Sequence, residues 1–174
     1  SLLEYSYLVK KVVFDIELLP IVKLIYAFFV HVVFVIILFI LAIANGEKPS
    51  LASLQVVYYM LCISVLVYAI GKITSSIIVF FRDLGQIVNI ILQIGVWGTP
   101  IIWSYTIVPL KYQWIVKLNP VFYIVEGYRD SFISQKYFFE KPVLTMYFWI
   151  LTLLILIAGN VSYKKLQPHF ADVL

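Results

Sequence analysis

Four stretches of this chain, residues 24–44, 51–71, 84–110 and 143–163, contain no Asp, Glu, Lys or Arg at all. A helix needs about 20 predominantly apolar residues to cross a bilayer. In lipid the backbone must satisfy its own hydrogen bonds, which leaves helices or a closed barrel. Runs such as VVFVIILFILAIA show no alternation of polar and apolar residues, so the barrel is rejected. Over the whole chain 63% of residues are hydrophobic and 13% are charged, where a soluble domain averages about a quarter charged. The reading is an all-α membrane protein with spans at 21–44, 51–78, 84–108 and 143–163.

Charge placement orients these spans, because cytoplasmic ends collect Lys and Arg. With a cytoplasmic N-terminus, the inner ends carry Lys10, Lys11, Lys23, Lys72, Arg82, Lys164 and Lys165. The connection at 109–142 then falls outside, although it holds Lys111, Lys117, Arg129, Lys136 and Lys141. Residues 164–174 form a cytoplasmic tail.

Several functions are disfavoured by what the sequence lacks. There is no GxxxxGK[ST] phosphate loop, so any ATP used would be bound by another chain and no cofactor is expected here. No Lys/Arg-rich run suggests nucleic acid. Cys62 is the one cysteine, His31 and His169 lie far apart, and no metal cluster or catalytic triad is expected. The sequon at Asn160 falls at the expected inner end of the last span and is read as chance.

Three segments invite a functional reading. In residues 1–20, Leu8, Val12, Ile16 and Leu19 recur in helical register, and Lys11 and Asp15 are four apart and can pair. An amphipathic helix lying on lipid and a lever docking on a partner both fit. Asp83 before the third run, with Gln86 three residues on, is a near match to a helix-capping box. Finally, Pro109 and Pro120 bracket ten residues too few to span, and Asn119-Pro120 opens VFYIVEGYRDSFI. On a continuing helix Glu126, Arg129 and Asp130 share one face. They form either a surface cluster or part of an outer cap of two half-helices dipping into the membrane, where charges need partners. Residues 97–139 also hold 12 aromatics in 43 positions, against 17% of the chain. An interfacial belt and a path for a sugar chain both call for such rings.

The segments LVKKVVFDIELLP, FRDLGQIVNIILQIGVWGTPIIW, LNPVFYIVEGYRDSFI and YKKLQPHFADVL together resemble the permease subunit of the ABC exporters that move O-antigen polysaccharide or teichoic acid. The resemblance covers essentially the whole chain, and its most specific parts are Arg82-Asp83 and the block from Asn119-Pro120 to Arg129. It implies that these four spans are the last four of six and that the natural protein is longer at its N-terminal end. It implies a homodimer working with two ABC ATPase subunits in the bacterial cytoplasmic membrane, on a lipid-linked glycan. Residues 8–20 then correspond to the cytoplasmic coupling helix, with Lys10, Lys11, Asp15, Glu17, Arg82 and Asp83 facing the ATPase. Residues 109–133 correspond to the re-entrant pair, held by Asn119, Pro120, Glu126, Arg129 and Asp130. Trp97, Trp103, Tyr105 and Trp114 are the substrate-path candidates. The alternatives are an ABC exporter for drugs or lipids and, less favoured, a membrane-embedded glycan-modifying enzyme.

Overall fold

A computed structural model describes residues 18–46, 50–81 and 83–169. The described residues form helices joined by short turns. Helix α1 is Leu18–Ala44. The helix stops at Asn45-Gly46: Asn45 Nδ2 donates to the Leu41 carbonyl at 2.8 Å, and Gly46 adopts a φ of 85°, open to a residue without Cβ.

A 3-10 turn, Leu51–Gln55, leads into α2, Val56–Ile78. Helix α3 is Leu84–Gly98. The run read as one span over 84–108 is therefore helical for only 15 residues. At ~1.5 Å per residue that is about 22 Å, short of the roughly 30 Å hydrocarbon core. Pro100 ends it, because a residue before proline is driven out of the helical region; Thr99 sits at φ −89°, ψ 136°. The chain continues through 3-10 turns at Tyr105–Ile107 and Leu110–Tyr112 into two short helices, α4 (Gln113–Lys117) and α5 (Pro120–Arg129). A π-helical turn, Asp130–Ser134, and a 3-10 turn, Phe138–Glu140, precede α6, Pro142–Leu166. Among the described residues three helical stretches are long and apolar enough to cross a membrane: Ile21–Ala44, Leu51–Ile78 and Pro142–Leu166.

Helices α2 and α6 form the centre. They run parallel, since Tyr58 meets Trp149 at one end and Lys72 meets Asn160 at the other. A Cβ on Gly159 would lie 3.1 Å from the Ala69 carbonyl oxygen, so the glycine sets how closely the two backbones approach. The core gathers Tyr59, Cys62, Leu66, Tyr123, Ile124 and Phe148 from α2, α5 and α6. Helix α1 joins through Val35, which packs with Val56 and Met60, while most of its large apolar side chains are exposed. Such faces suit lipid or neighbouring helices rather than water. We call the end of the bundle that holds α4 and α5 the cap end, and the end with Ile78, Leu84 and Leu166 the tail end.

Candidate functional site

The Asn-Pro break is a helix start. Pro120 is the first residue of α5, and Asn119 caps it: Oδ1 accepts from the Val121 N–H at 2.9 Å. The same side chain donates through Nδ2 to Thr99 Oγ1 at 2.8 Å. One residue thus begins α5 and ties it to the point where α3 ends, and Thr99 is 2% exposed there.

At the other end of α5, Arg129 closes a second tie. Its Nη1 meets Glu126 Oε1 at 2.7 Å, and its Nη2 donates to the carbonyls of Ile101 and Trp103 at 3.0 and 2.9 Å. The irregular segment after α3 leaves those carbonyls without helical partners, and the guanidinium supplies fixed donors for them. Glu126 holds the guanidinium in place. The pair is largely shielded, with 26% and 12% of the Arg129 and Glu126 side chains exposed.

Asp130 does not belong to that cluster. From Asp130 the helix widens into a π turn, which breaks the helical increment that would place it beside Glu126. Its buried carboxylate pairs with Lys141 instead, at the entrance to α6. The turn closes where Gln135 adopts a φ of 51° and the Lys136 N–H donates to the Asp130 carbonyl at 3.1 Å. Gln55 supports the same loop with both ends of its amide: Nε2 donates to the Lys136 carbonyl at 2.6 Å and Oε1 accepts from the Phe138 N–H at 2.9 Å.

Beneath the cap lies a polar network in an otherwise apolar core. The Tyr58 and Tyr123 hydroxyls are 3.0 Å apart, Trp149 Nε1 donates to Tyr58 at 2.8 Å, and Tyr123 reaches Thr145 Oγ1 at 3.0 Å. Gly127 lets α5 settle on this layer. An added Cβ there would fall 2.1 Å from the buried Tyr59 ring. On the far side, His31 Nε2 and the Tyr128 hydroxyl are 2.7 Å apart, tying α1 to α5. Which of the two donates follows the tautomer of the imidazole. Phe39 and Phe132 meet edge-to-face at 4.9 Å beside it.

The four aromatic path candidates are spread along residues 97–114. Trp97 is 73% exposed and Trp114 is 58% exposed. Trp103 Nε1 donates to the Trp97 carbonyl at 3.0 Å, and Tyr105 packs edge-to-face on Phe122 at 5.3 Å with Lys117 Nζ 5.8 Å from its centroid. All four sit on α3, α4 and the segment between. A cavity of about 580 Å³ lies at the tail end instead, between α1, α2 and α3, lined by Lys23, Tyr68, Thr74, Ser75 and Asn89 among others.

Lys10, Lys11, Asp15, Glu17 and Arg82 lie outside the described residues. Asp83 precedes α3 and accepts backbone bonds from Gln86 and Ile87 at 3.0 and 3.2 Å. Its side chain makes no cap, so the expected capping box is not formed. A lone histidine within a span calls for a hydrogen bond to a neighbouring helix, and His31 makes one; its partner Tyr128, together with Thr99, Gln55 and Gly127, was not anticipated from the sequence. Of these, Gly127 left a signal, as a glycine inside an otherwise helical segment.

Two known proteins align with the entire chain. Both are O-antigen export system permease proteins of Klebsiella pneumoniae named RfbA, at 28% and 25% identity. The chain spans 66% of the length of each. The family model for the membrane component described as "ABC-2 type transporter" matches residues 18–133, more than half of the chain, from α1 through the Asn119 cap and the Arg129 clamp. The match and the three long apolar helices agree on a multi-pass membrane protein, and the chain belongs to the ABC-2 type transporter family.

Proposed function

We propose that the chain is the permease part of an ATP-driven exporter that moves a lipid-linked polysaccharide across the bacterial cytoplasmic membrane. The carrying observation is the alignment of the whole chain with two O-antigen export permeases. A separate ABC ATPase binds the nucleotide, and two permease copies form the path between them. In this reading the cap end faces outward, and α4 and α5 are half-helices folded back toward the membrane. Irregular backbone at membrane depth needs protein or water to cover it. The Asn119–Thr99 and Arg129–Trp103 bonds provide part of that cover. Residues 8–20 act as the coupling helix: ATP-driven closure of the partner moves Lys10, Lys11, Asp15 and Glu17, with Arg82 and Asp83 beside them, and the motion reaches the cap through the rigid α2–α6 pair. Glu126, Arg129, Asn119 and Pro120 keep the cap closed between cycles, with Asp130 holding its trailing edge to Lys141. The rings of Trp97, Trp103, Tyr105 and Trp114 offer a passing sugar chain broad contact faces.

Depletion of the full-length permease in its host tests this. Surface glycan should fall while lipid-linked glycan accumulates on the cytoplasmic leaflet, and the ATPase should co-purify with tagged permease. Unchanged surface glycan with altered drug or lipid efflux would transfer the assignment to another ABC exporter class.

A further inference from the structure

A second site emerges at the tail end of the α2–α6 seam. Lys72 stands on α2 near the inner end of the expected 51–78 span, half-buried, where an ionised side chain calls for polar partners or a wet surface. Its Nζ donates to Asn160 Oδ1 at 2.9 Å and lies 5.4 Å from the ring centroids of both Tyr68 and Tyr163. These partners are neutral. Among the described residues the ion pairs are Glu126–Arg129 and Asp130–Lys141, both at the cap end. Asp83, the one described carboxylate at the tail end, pairs with none of Lys72, Lys164 and Lys165. The last two are exposed in the final turn of α6, and Lys164 lies one turn beyond Asn160 on the same face.

The arrangement is selective for an anion. Asn160 spends its oxygen on Lys72, which leaves its two amide N–H donors without a partner among the described residues. Lys72 keeps two further N–H donors. Gly159 makes the meeting possible: a Cβ there would lie 3.2 Å from Lys72 Cβ, so the lysine stem runs along α6 only because residue 159 has none. The two tyrosine rings add cation–π contacts that fix the ammonium. Among the described residues this face presents Lys72, Asn160 and Lys164 and no carboxylate, which matches a phosphate oxyanion. Ile70 and Ile157, exposed on the same two helices, lie on the cap side of Lys72 and Asn160 and suit acyl chains.

We propose that Lys72, Asn160 and the lysines of the last α6 turn bind the phosphate of an anionic glycerophospholipid in the leaflet at the tail end. The lipid supplies the counter-charge for Lys72 and seals the α2–α6 seam. Basic pockets between helices at the cytoplasmic face recognise lipid headgroups in this way. The site is independent of the cargo and of the cap.

The test uses the full-length permease with its ATPase, titrated with phosphatidylglycerol or phosphatidylcholine and followed by native mass spectrometry. The parent should retain phosphatidylglycerol in preference to phosphatidylcholine. Lys72→Met should weaken phosphatidylglycerol retention about fivefold, the Boltzmann factor for one lysine near an anionic surface, and Lys72→Arg should keep most of it. Should Lys72→Met fail to assemble, Lys164→Gln/Lys165→Gln leaves the seam intact and should show the same directional loss. Equal retention of the two lipids, or variants that match the parent, would overturn the site. So would displacement of the lipid by millimolar inorganic phosphate, which would mark a soluble-anion site instead.

Discussion

Arg129 Nη2 and the Trp103 carbonyl oxygen are 2.9 Å apart, although 26 residues separate them in the chain. With the neighbouring bond to Ile101 at 3.0 Å, this contact fastens α5 to the irregular segment that follows α3. Arg129→Ala leaves Glu126 and two carbonyls without their partner. The expected cost is about 2–4 kcal/mol, because the Glu126 carboxylate left behind is largely shielded from water. Surface glycan normalised to permease level should drop sharply. Glu126→Gln should cost less, since its amide oxygen still accepts from Arg129. Normal export by both variants would reduce the clamp to an incidental contact.

Gly127 tests how α5 seats on α2. Gly127→Ala gains about 1 kcal/mol of helix propensity but drives a methyl into the Tyr59 ring, where the added Cβ would stand 2.1 Å from ring carbon. Tyr59 is 1% exposed and ringed by Tyr58, Tyr123 and Tyr128, so it has little room to yield. Overpacking of this kind costs about 1–3 kcal/mol. The detergent-solubilised protein should lose thermal stability, and the same substitution should cost less in a Tyr59→Ala background than in the parent. A Gly127→Ala protein as stable as the parent would contradict the close approach.

The His31–Tyr128 bond predicts a local effect. His31→Ala and Tyr128→Phe should each loosen α1 at the cap end by about 0.6–2 kcal/mol, the range of interhelical hydrogen bonds in membranes. The double variant should cost little more than either single one, because both remove the same bond. Cysteines at Phe39 and Phe132, in a Cys62→Ser background, should cross-link in the parent, whose rings meet at 4.9 Å. His31→Ala should slow that reaction. Additive losses with unchanged cross-linking would show that the two residues act independently.

Much of the fold was legible because lipid imposes one strong rule. Charge-free runs of the right length mark α1, α2 and α6 without tertiary knowledge. The third run misled because hydropathy does not register backbone breaks. Ile101, Ile102 and Trp103 are apolar enough for a span, yet Pro100 had already ended α3. Asn119-Pro120 was readable, since a cap residue followed by proline is a local start signal. Glu126 and Arg129 paired as their spacing of three implies. Asp130 escaped the same rule because a π turn intervened, and no residue preference announces such a turn. Thr99, Gln55 and His31 find partners 20 to 97 residues away, distances that no local pattern encodes.

The placement of Lys and Arg predicts the topology. Single cysteines replacing Ser134 at the cap end and Pro168 at the tail end occupy exposed positions. In intact cells with Cys62→Ser, an impermeant thiol reagent should label position 134 and not 168. The reverse pattern would turn the molecule over and place the Lys72 site in the outer leaflet.

Transport itself is the most direct measurement. The full-length permease and its ATPase, reconstituted in proteoliposomes with a lipid-linked glycan from the host, should show ATP-dependent movement of the glycan across the bilayer. That movement should be lost when Lys10 and Lys11 are reversed to Glu, with the complex still assembled. ATP-dependent movement of phospholipid or drug without movement of the glycan would contradict the account.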